Sequence, residues 1–307
     1  MTKSTGNIKK KAAELGYTGC GVIPATVFEE YSQALDEHIK NFPESKEIYE
    51  SRRGYASPPE GAKSIIVCVR GYNHFKVPDA LKGRVGKHYM LHGEIPYSEA
   101  YRNKAELEGF LQLSGMRVIK SHAIPMRLAA VKAGLGKIGR NNFLFTQQHG
   151  SYTCIDAWFV DVELEYEPPV DNTIVPGCHE NCKKCITACP TKALCDSFSM
   201  NWSKCVNPLM YVRGPLSEET RAQMGQWIYG CDTCQDVCPL NKGKLTAQED
   251  FPLLEQFAEY LQPEKILVMT EEDYANIILP RLWYAGKDGL ETWKRNVRRA
   301  LENRRES

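Results

Sequence analysis

The sequence predicts an α/β domain over residues 1–170, a cysteine-rich domain over 171–250 and a helical segment over 251–307. Predicted helices and apolar strands alternate before residue 170, which is typical of an α/β domain. Nine of the twelve cysteines lie between Cys178 and Cys238. Paired prolines in the stretch YEPPVDNTIVPG interrupt the periodicity and mark the boundary between these two regions.

Hydrophobic periodicity places each element of the first region. Helices are predicted near 7–15, 101–113 and 126–133, and strands near 19–23, 64–69, 116–121 and 151–164. Two long loops rich in Pro, Gly and charge interrupt this pattern, at 43–64 and 73–101. Loops of that length form lids or binding loops, and ordinary surface excursions are an equal alternative.

The overall charge favours no particular macromolecular partner. The formal net charge is +1 at pH 7, so attraction to nucleic acid or to an anionic membrane requires a local patch. The N-terminus has no apolar segment of the kind found in secretory signals, and no later stretch approaches the roughly 20 apolar residues of a membrane span. We therefore expect a soluble cytoplasmic protein without a membrane partner.

The cysteines divide into two classes. Cys20, Cys68 and Cys154 lie in apolar strand-like contexts, where a thiol typically serves as a small buried hydrophobe. The other nine are crowded together in a chain without an export signal. That combination favours metal or redox chemistry over disulfide bonds.

Two copies of the pattern CxxCxxxCP predict a pair of [4Fe–4S] clusters. A CxxC spacing presents neighbouring thiolates to one cluster, and in two-cluster ferredoxins the cysteine before the proline ligates the other cluster. The predicted ligands of the first cluster are Cys178, Cys182, Cys185 and Cys238. Those of the second cluster are Cys189, Cys205, Cys231 and Cys234.

Two alternatives to this ligand set stay open. Structural zinc also favours CxxC pairs, but it does not explain two CxxCxxxCP units. The first cluster's outermost ligand is also uncertain in sequence terms, because the stretch CHENC separates Cys178 from Cys182 by one residue more than usual. Cys195 therefore competes with Cys178 for that position.

A basic segment includes the third predicted helix. No Asp or Glu occurs between Glu108 and Asp156, whereas six Lys or Arg residues do. A solvated basic face paired with acids elsewhere and a site for an anionic ligand are equal alternatives. The segment contains AGLGKIGRNN, where three glycines let the backbone approach a ligand closely. This glycine turn follows a helix rather than opening one, so it does not predict a dinucleotide-binding fold.

Five stretches occur in order along the chain: AVKAGLGKIGRNN, HGSYTCIDAWFVDVEL, CKKCITACPTKAL, an isolated Lys204-Cys205 and YGCDTCQDVCPLNK. Together they resemble the epoxyqueuosine reductase family, distant kin of the reductive dehalogenases, from about Lys10 to the C-terminus. The resemblance implies a nitroreductase-like α+β scaffold that holds cobalamin, and a ferredoxin-like domain whose two clusters pass electrons to cobalt. The residues that it places against or near the corrin are Gly134, Leu135, Gly136, Ile138, Gly139, Arg140, Asn141, His149, Gly150 and Ser151.

The chain departs from this family at two places. The tRNA-modifying reductases carry a proton-donating Asp just ahead of the helix that leads into the glycine turn, whereas residues 119–125 contain no carboxylate here. The candidate replacements are His122, Tyr97 and Lys120, with Tyr101 as a further possibility. Residues 292–307 resemble the opening helix of the helical repeats in longer members. A solvated basic helix is the favoured account of their Lys and Arg side chains, and contact with RNA phosphates is the alternative.

These features predict an iron–sulfur, cobalamin-dependent reductase that does not act on epoxyqueuosine. Electrons from a ferredoxin or flavodoxin would pass through the clusters to a corrinoid cobalt, and then to a small or anionic substrate. One alternative is an activating protein that reduces the corrinoid of a partner protein. The other is an epoxyqueuosine-type enzyme that modifies tRNA with a proton donor other than Asp.

Overall fold

The computed structural model describes residues 4–92, 94–96, 98–120, 124–170, 178, 181–196, 198–282 and 285–305. The chain divides into two compact units, each of mixed helix and strand content. The sheet unit comprises Met1–Asn73 and Glu99–Cys182, and the cluster unit comprises His74–Ser98 and Lys183–Ser307. These units differ from the three predicted domains, because residues 74–98 belong with the cysteine-rich part. The three-domain division stays a prediction.

The described elements begin and end as follows. The helices are α1 (Thr5–Glu14), α2 (Glu29–Asn41), α3 (Lys46–Glu50), α4 (Lys87–Leu91), α5 (Glu99–Leu113), α6 (Met126–Lys132), α7 (Lys184–Ala188), α8 (Val206–Leu209), α9 (Glu218–Gln223), α10 (Thr233–Asp236), α11 (Leu254–Tyr260), α12 (Pro263–Val268), α13 (Glu271–Asp273) and α14 (Leu290–Arg305). The strands are β1 (Gly19–Pro24), β2 (Ser64–Gly71), β3 (Val118–Ile119), β4 (Lys137–Ile138), β5 (Leu144–Phe145), β6 (Thr153–Val160), β7 (Leu194–Asp196) and β8 (Ser199–Met200).

The sheet unit is built on a four-stranded sheet with the order β1-β2-β6-β3. All of its pairings are antiparallel, with Ile66 opposite Trp158 and Cys20 opposite Cys68. The helices predicted at 7–15, 101–113 and 126–133 are present as α1, α5 and α6, whereas α2 was not predicted. The antiparallel pairing fits the α+β scaffold that the resemblance implies. The nitroreductase-like assignment stays a prediction.

The apolar run of β2 follows from its central position. Strand β2 is buried from Ser64 to Arg70 because helices cover both faces of the sheet. On one face, Ile66 and Cys68 pack under α1 and α5. On the other face, Ile65 and Val67 pack under α6. A strand covered on both sides is expected to be apolar at nearly every position rather than at alternate ones.

The cluster unit has a different construction. Helices α7 to α13 have three to seven residues each, and only α14 is long. The buried face of α14 carries Leu290, Trp293 and Val297, a spacing of three and four residues that is typical of an amphipathic helix. Helix α14 packs against α12 within this unit. Throughout the described part of the chain, no helix has the length and apolar character needed to span a bilayer.

Candidate functional site

Four of the predicted cluster ligands gather within the cluster unit. Cys189 follows the last residue of α7, Cys205 precedes α8, and α10 carries Cys234. Helices α7 and α10 contact each other, and Cys205 and Cys234 pack against a buried group that contains Cys185 and Cys189. The structure therefore brings together residues from both CxxCxxxCP units, as the interleaved pattern of the sequence predicts.

The electrostatics of these thiols fit a cationic cluster. Burial raises the pKa of Cys205 to about 11, and neighbouring Cys189 adds to the increase. Burial raises the pKa of Cys231 to about 12. Burial also raises the pKa of Cys234, and the surrounding cysteines raise it further. Several buried thiolates are unfavourable together unless a cation compensates their charge, which iron does in a cluster.

In the described part of the chain, no three Cys, His, Asp or Glu side chains converge where a single ion could bind.

Cys178 and Cys195 have different environments. Both Cys178 and Cys182 belong to the sheet unit, and the sulfur of Cys178 accepts a hydrogen bond from the backbone N–H of Arg140 at 3.4 Å. Cys195 is exposed, and its thiol lies 3.5 Å from the carbonyl oxygens of Lys192 and Ala193. An N–H donor aimed at sulfur is typical of ligand thiolates in iron–sulfur proteins. These contacts support Cys178 as the outermost ligand, and the assignment stays a prediction.

The glycine turn owes its glycines largely to its own packing. Gly134 ends α6 with a φ of +70°, and the N–H of Leu135 donates to the carbonyl of Ala130, as in a Schellman cap. A Cβ on Gly136 would lie 2.6 Å from the carbonyl oxygen of Phe145, and one on Gly139 would lie 2.5 Å from its ring. Close packing of β4 against β5 therefore requires both of these glycines.

The polar residues of the same turn provide the test for a bound corrinoid. Arg140 and Asn141 are buried, and the Arg140 Nε has no hydrogen-bond partner among the described residues. A buried donor of this kind costs about 1–3 kcal/mol if it remains unsatisfied. Leu135 and Ile138 of the same turn are half-buried and pack against the sheet core. This combination of apolar surface and an available donor fits a flat ring with amide groups at its edge.

His149 is held by both of its ring nitrogens. Its Nδ1 lies 2.8 Å from Asn73 Oδ1, and its Nε2 lies 3.0 Å from Thr18 Oγ1. Gly71 permits this contact, because a Cβ there would lie 2.2 Å from the imidazole. His149 therefore anchors the turn that contains Gly150 and buried Ser151 to the end of the sheet.

The structure describes two of the four predicted proton donors. His122 and Tyr97 lie outside the described residues. Lys120 forms an ion pair with Glu108 at 3.2 Å, and its side chain is 80% exposed. Tyr101 is exposed near the start of α5. The roles predicted for these residues stay predictions.

The basic segment is balanced by acids from elsewhere in the sheet unit. Besides the pair made by Lys120, Arg117 contacts Asp161 at 3.4 Å and Lys132 contacts Glu30 at 2.6 Å. Although residues 109–155 contain no acid, acids from other segments therefore lie beside several of their basic side chains in the folded protein. These pairs favour the solvated basic face over a broad anion-binding patch.

Two groups of charged residues make contacts that the sequence did not indicate. Arg299 is buried and donates to the carbonyls of Gly225 and Trp227, and Arg295 donates to the carbonyls of Leu209 and Gly214. These arginines hold backbone rather than presenting charge to RNA. The other group is Lys87 with Asp232 and Asp236. The one sequence signal for this second group was the presence of two aspartates inside the motif CDTCQDVC.

Comparison with known proteins identifies the cysteine-rich part and the chain. A family model described as a 4Fe-4S double cluster binding domain matches residues 178–241, which confirms the predicted pair of [4Fe–4S] clusters. The epoxyqueuosine reductase of Lactococcus garvieae is 30% identical over an alignment 313 positions long, which covers 96% of this chain and 86% of the relative. That of Cyclobacterium marinum is 29% identical over 258 residues, covering 79% of this chain and 80% of the relative.

Solved structures have the same fold. A crystal structure of epoxyqueuosine reductase with an epoxyqueuosine-modified tRNA-Tyr stem loop gives a TM-score of 0.77 at 24% identity, covering 97% of this chain and 80% of that one. The Bacillus subtilis enzyme, with its catalytic Asp loop swung out of the active site, gives 0.78 at 24% identity, covering 97% and 81%. The chain belongs to the epoxyqueuosine reductase family and is an iron–sulfur oxidoreductase.

Proposed function

We propose that this chain is a cobalamin-dependent reductase that passes electrons from a low-potential donor through its two clusters to a corrinoid and on to a substrate. The proposed ligands are the eight cysteines predicted from the sequence. A ferredoxin or flavodoxin is the proposed donor, because both carry single electrons at low potential. Family membership supports the reductase chemistry, and the residues of the glycine turn support the corrinoid.

One contact carries this proposal. The backbone N–H of Arg140 donates to the sulfur of Cys178 at 3.4 Å, so a proposed cluster ligand is bonded directly to the turn proposed to face the corrin. Electron transfer between two redox centres requires that the protein hold them close together and fix their positions. The hydrogen bond between Arg140 and Cys178 supports this requirement, because it joins the glycine turn to one proposed cluster ligand within the sheet unit.

The residues of the turn have distinct proposed roles. Half-buried Leu135 and Ile138 provide apolar surface for the ring, and Arg140 Nε provides a donor for an acceptor at its edge. His149 fixes the neighbouring turn through Asn73 and Thr18. Bound cobalamin would supply a cobalt centre that accepts single electrons and acts on an electrophilic carbon of the substrate. The proton is assigned to His122, Tyr97 or Lys120.

Epoxyqueuosine in tRNA is the first proposed substrate. The curated relatives carry the name epoxyqueuosine reductase, and this substrate fits them better than the small or anionic compound that the sequence alone favoured. One observation favours a different substrate. Residues 109–155 contain no carboxylate, so the proton donor cannot be an acid from the segment that leads into the glycine turn. The proposed donor is therefore His122, Tyr97 or Lys120 instead.

Cobalamin binding is tested on anaerobically purified protein that has been reconstituted with iron and sulfide. We expect the UV–visible and EPR spectra of added cobalamin to change on binding. Arg140→Met is expected to weaken that binding by about tenfold, because one hydrogen bond to a buried donor contributes on the order of 1.4 kcal/mol. Lys132→Met, which removes an ion pair with Glu30 and a cation–π contact with Phe28, is the control. Cobalt spectra that the wild-type protein leaves unchanged would remove the corrinoid from the proposal.

The substrate is tested separately with the loaded enzyme and a strong reductant. A tRNA stem loop that carries epoxyqueuosine is compared with the same stem loop without the epoxide. We expect reduction of the modified base and affinity that falls steeply as salt increases, because phosphate contacts release counterions. Binding of cobalamin without turnover of the stem loop would favour a small or anionic substrate and leave the reductase assignment intact.

A further inference from the structure

A short strap, residues 84–89, runs beside the second cysteine motif within the cluster unit. The N–H of Ile228 donates to the carbonyl of Arg84 at 2.7 Å, and the N–H of Gly86 donates to the carbonyl of Tyr229 at 2.8 Å. These backbone bonds align the strap with the residues that lead directly into Cys231. The strap is therefore hydrogen-bonded to the residues just before Cys231, in the loop that carries two proposed ligands of the second cluster.

Glycines on both sides make this approach close. A Cβ on Gly86 would lie 3.2 Å from the backbone nitrogen of Cys231, and one on Gly230 would lie 2.4 Å from the ring of Tyr89. The hydroxyl of Tyr89 also donates to Asn207 Oδ1 at 2.6 Å, two residues after Cys205. The strap thus contacts the chain near two separate cysteines of the proposed second cluster.

Lys87 of the strap bonds both carboxylates of the motif CDTCQDVC. Its backbone N–H donates to Asp232 Oδ2 at 2.8 Å, and its Nζ lies 3.1 Å from the same oxygen and 2.7 Å from Asp236 Oδ1. The side chains of Lys87 and Asp232 are 14% and 4% exposed, whereas that of Asp236 is 45% exposed. Charges that are shielded from water interact more strongly than surface pairs.

The net charge of Lys87, Asp232 and Asp236 affects the reduction potential of a cluster nearby. Two carboxylates flank Cys234 in the motif, and Lys87 neutralises one of their two negative charges. Reduction of a cluster adds one electron, so negative charge nearby opposes reduction and positive charge favours it. Removal of Lys87 would leave both carboxylates uncompensated beside the cluster. Removal of Asp236 would have the opposite effect on the charge.

We propose that Lys87 is a positioning residue that holds the second cysteine motif and sets the reduction potential of the cluster ligated by Cys231 and Cys234. The proposal rests on that proposed ligation. It assigns a function to a segment that lies more than 140 residues before the motif in the sequence. The same charge that anchors the strap also makes the cluster easier to reduce.

A cavity of about 600 Å³ in this unit supplies a matched control. Both Lys82 and Lys87 line it, together with Asp232 and Asp236. Lys82 pairs with Asp79 of its own turn and is 63% exposed. Lys82→Met therefore removes the same charge from the same cavity without breaking a contact to the cysteine motif.

The experiment is an EPR-monitored redox titration of the reconstituted full-length protein. Lys87→Met is expected to lower the midpoint potential of one cluster, with the reduction equilibrium changed by about tenfold, or about 59 mV for one electron. Asp236→Asn is expected to raise the potential of the same cluster. Lys82→Met is expected to leave both potentials within about threefold of the wild-type equilibrium, because that charge is solvated.

The opposite signs separate tuning from a merely structural role. If both variants shift the potential in the same direction, or neither shifts it, Lys87 does not set the potential. If Lys87→Met holds no cluster, the potential of Asp236→Asn tests the proposal instead, since the side chain of Asp236 is exposed and tolerant of substitution. Lys87→Arg, which keeps the positive charge, should retain the cluster. A Cys234→Ala variant that keeps both clusters would instead overturn the ligation, independently of any effect of Lys87.

Discussion

The sheet unit and the cluster unit reach stability by different means. In the sheet unit, strands of up to eight residues are covered on both faces by apolar side chains. In the cluster unit, most helices have three to seven residues, which is too short for independent stability. Buried Arg299, half-buried Lys87 and the proposed cluster cysteines connect those short pieces. One unit is stabilised chiefly by apolar packing around its sheet, whereas the other combines buried apolar side chains such as Phe257, Leu282 and Trp293 with polar contacts and cluster ligation.

The largest expected effect removes a cross-link of the cluster unit. Cys234→Ala should lose one whole cluster and about half of the bound iron, because each [4Fe–4S] cluster requires its four thiolates. Iron analysis and EPR of anaerobically reconstituted protein measure this. Cys195→Ala is the matched control and should keep the full iron content, since its thiol is exposed and faces backbone carbonyls. Full iron in the Cys234 variant would contradict the ligand assignment.

The next effect tests the sheet unit. Ile66 is fully buried between β1 and β6, so Ile66→Ala should lower the free energy of unfolding by about 2–5 kcal/mol. The iron content of the folded fraction should stay at the wild-type level. Leu113→Ala, at a side chain that is 81% exposed, should change stability by less than about 0.5 kcal/mol. Chemical denaturation followed by circular dichroism measures both.

A smaller effect concerns the arginine that replaces apolar packing in the cluster unit. Arg299 is 2% exposed, and its guanidinium donates to the carbonyls of Gly225 and Trp227. Arg299→Met keeps the bulk but leaves both carbonyls without this donor, at an expected cost of about 1–3 kcal/mol. Arg298→Met, at a side chain that is 54% exposed, should cost less than about 0.5 kcal/mol. Equal unfolding midpoints for the two variants would sink this interpretation.

The smallest effect is a pH dependence. Burial lowers the pKa of His88 to about 4, from an ordinary value of 6.5. Because the unfolded chain takes up the proton first as pH falls, this contribution to stability is complete above about pH 6.5 and is lost toward pH 4. His88 keeps some contact with solvent, so we expect a loss of about 1 kcal/mol between about pH 7 and pH 5.5. Denaturant titrations at both pH values measure this loss. The free energy of unfolding of His88→Gln should depend less on pH than that of the wild-type protein.

Much of the sheet unit could be predicted because its signals are local. The periodic helices α1, α5 and α6 and the apolar strand β2 lie where the pattern indicated them. The antiparallel pairing could not be predicted, since a strand covered on both faces has the same apolar run in either kind of sheet. The loop 73–101 was uninformative because α4 has only five residues, and a helix so short owes its existence to its neighbours.

The sequence by itself determined the chemistry of the cluster site. Cysteine identity and spacing select iron–sulfur clusters without knowledge of the fold, because ligand type and the reach of a short turn restrict the metal site. Only the tertiary structure decided which charges are paired. Lys87 meets Asp232 and Arg299 meets the carbonyl of Gly225 across many intervening residues. The electrostatic energy of a charge depends on its burial and on its distance to partners, and both quantities arise only when distant segments pack together.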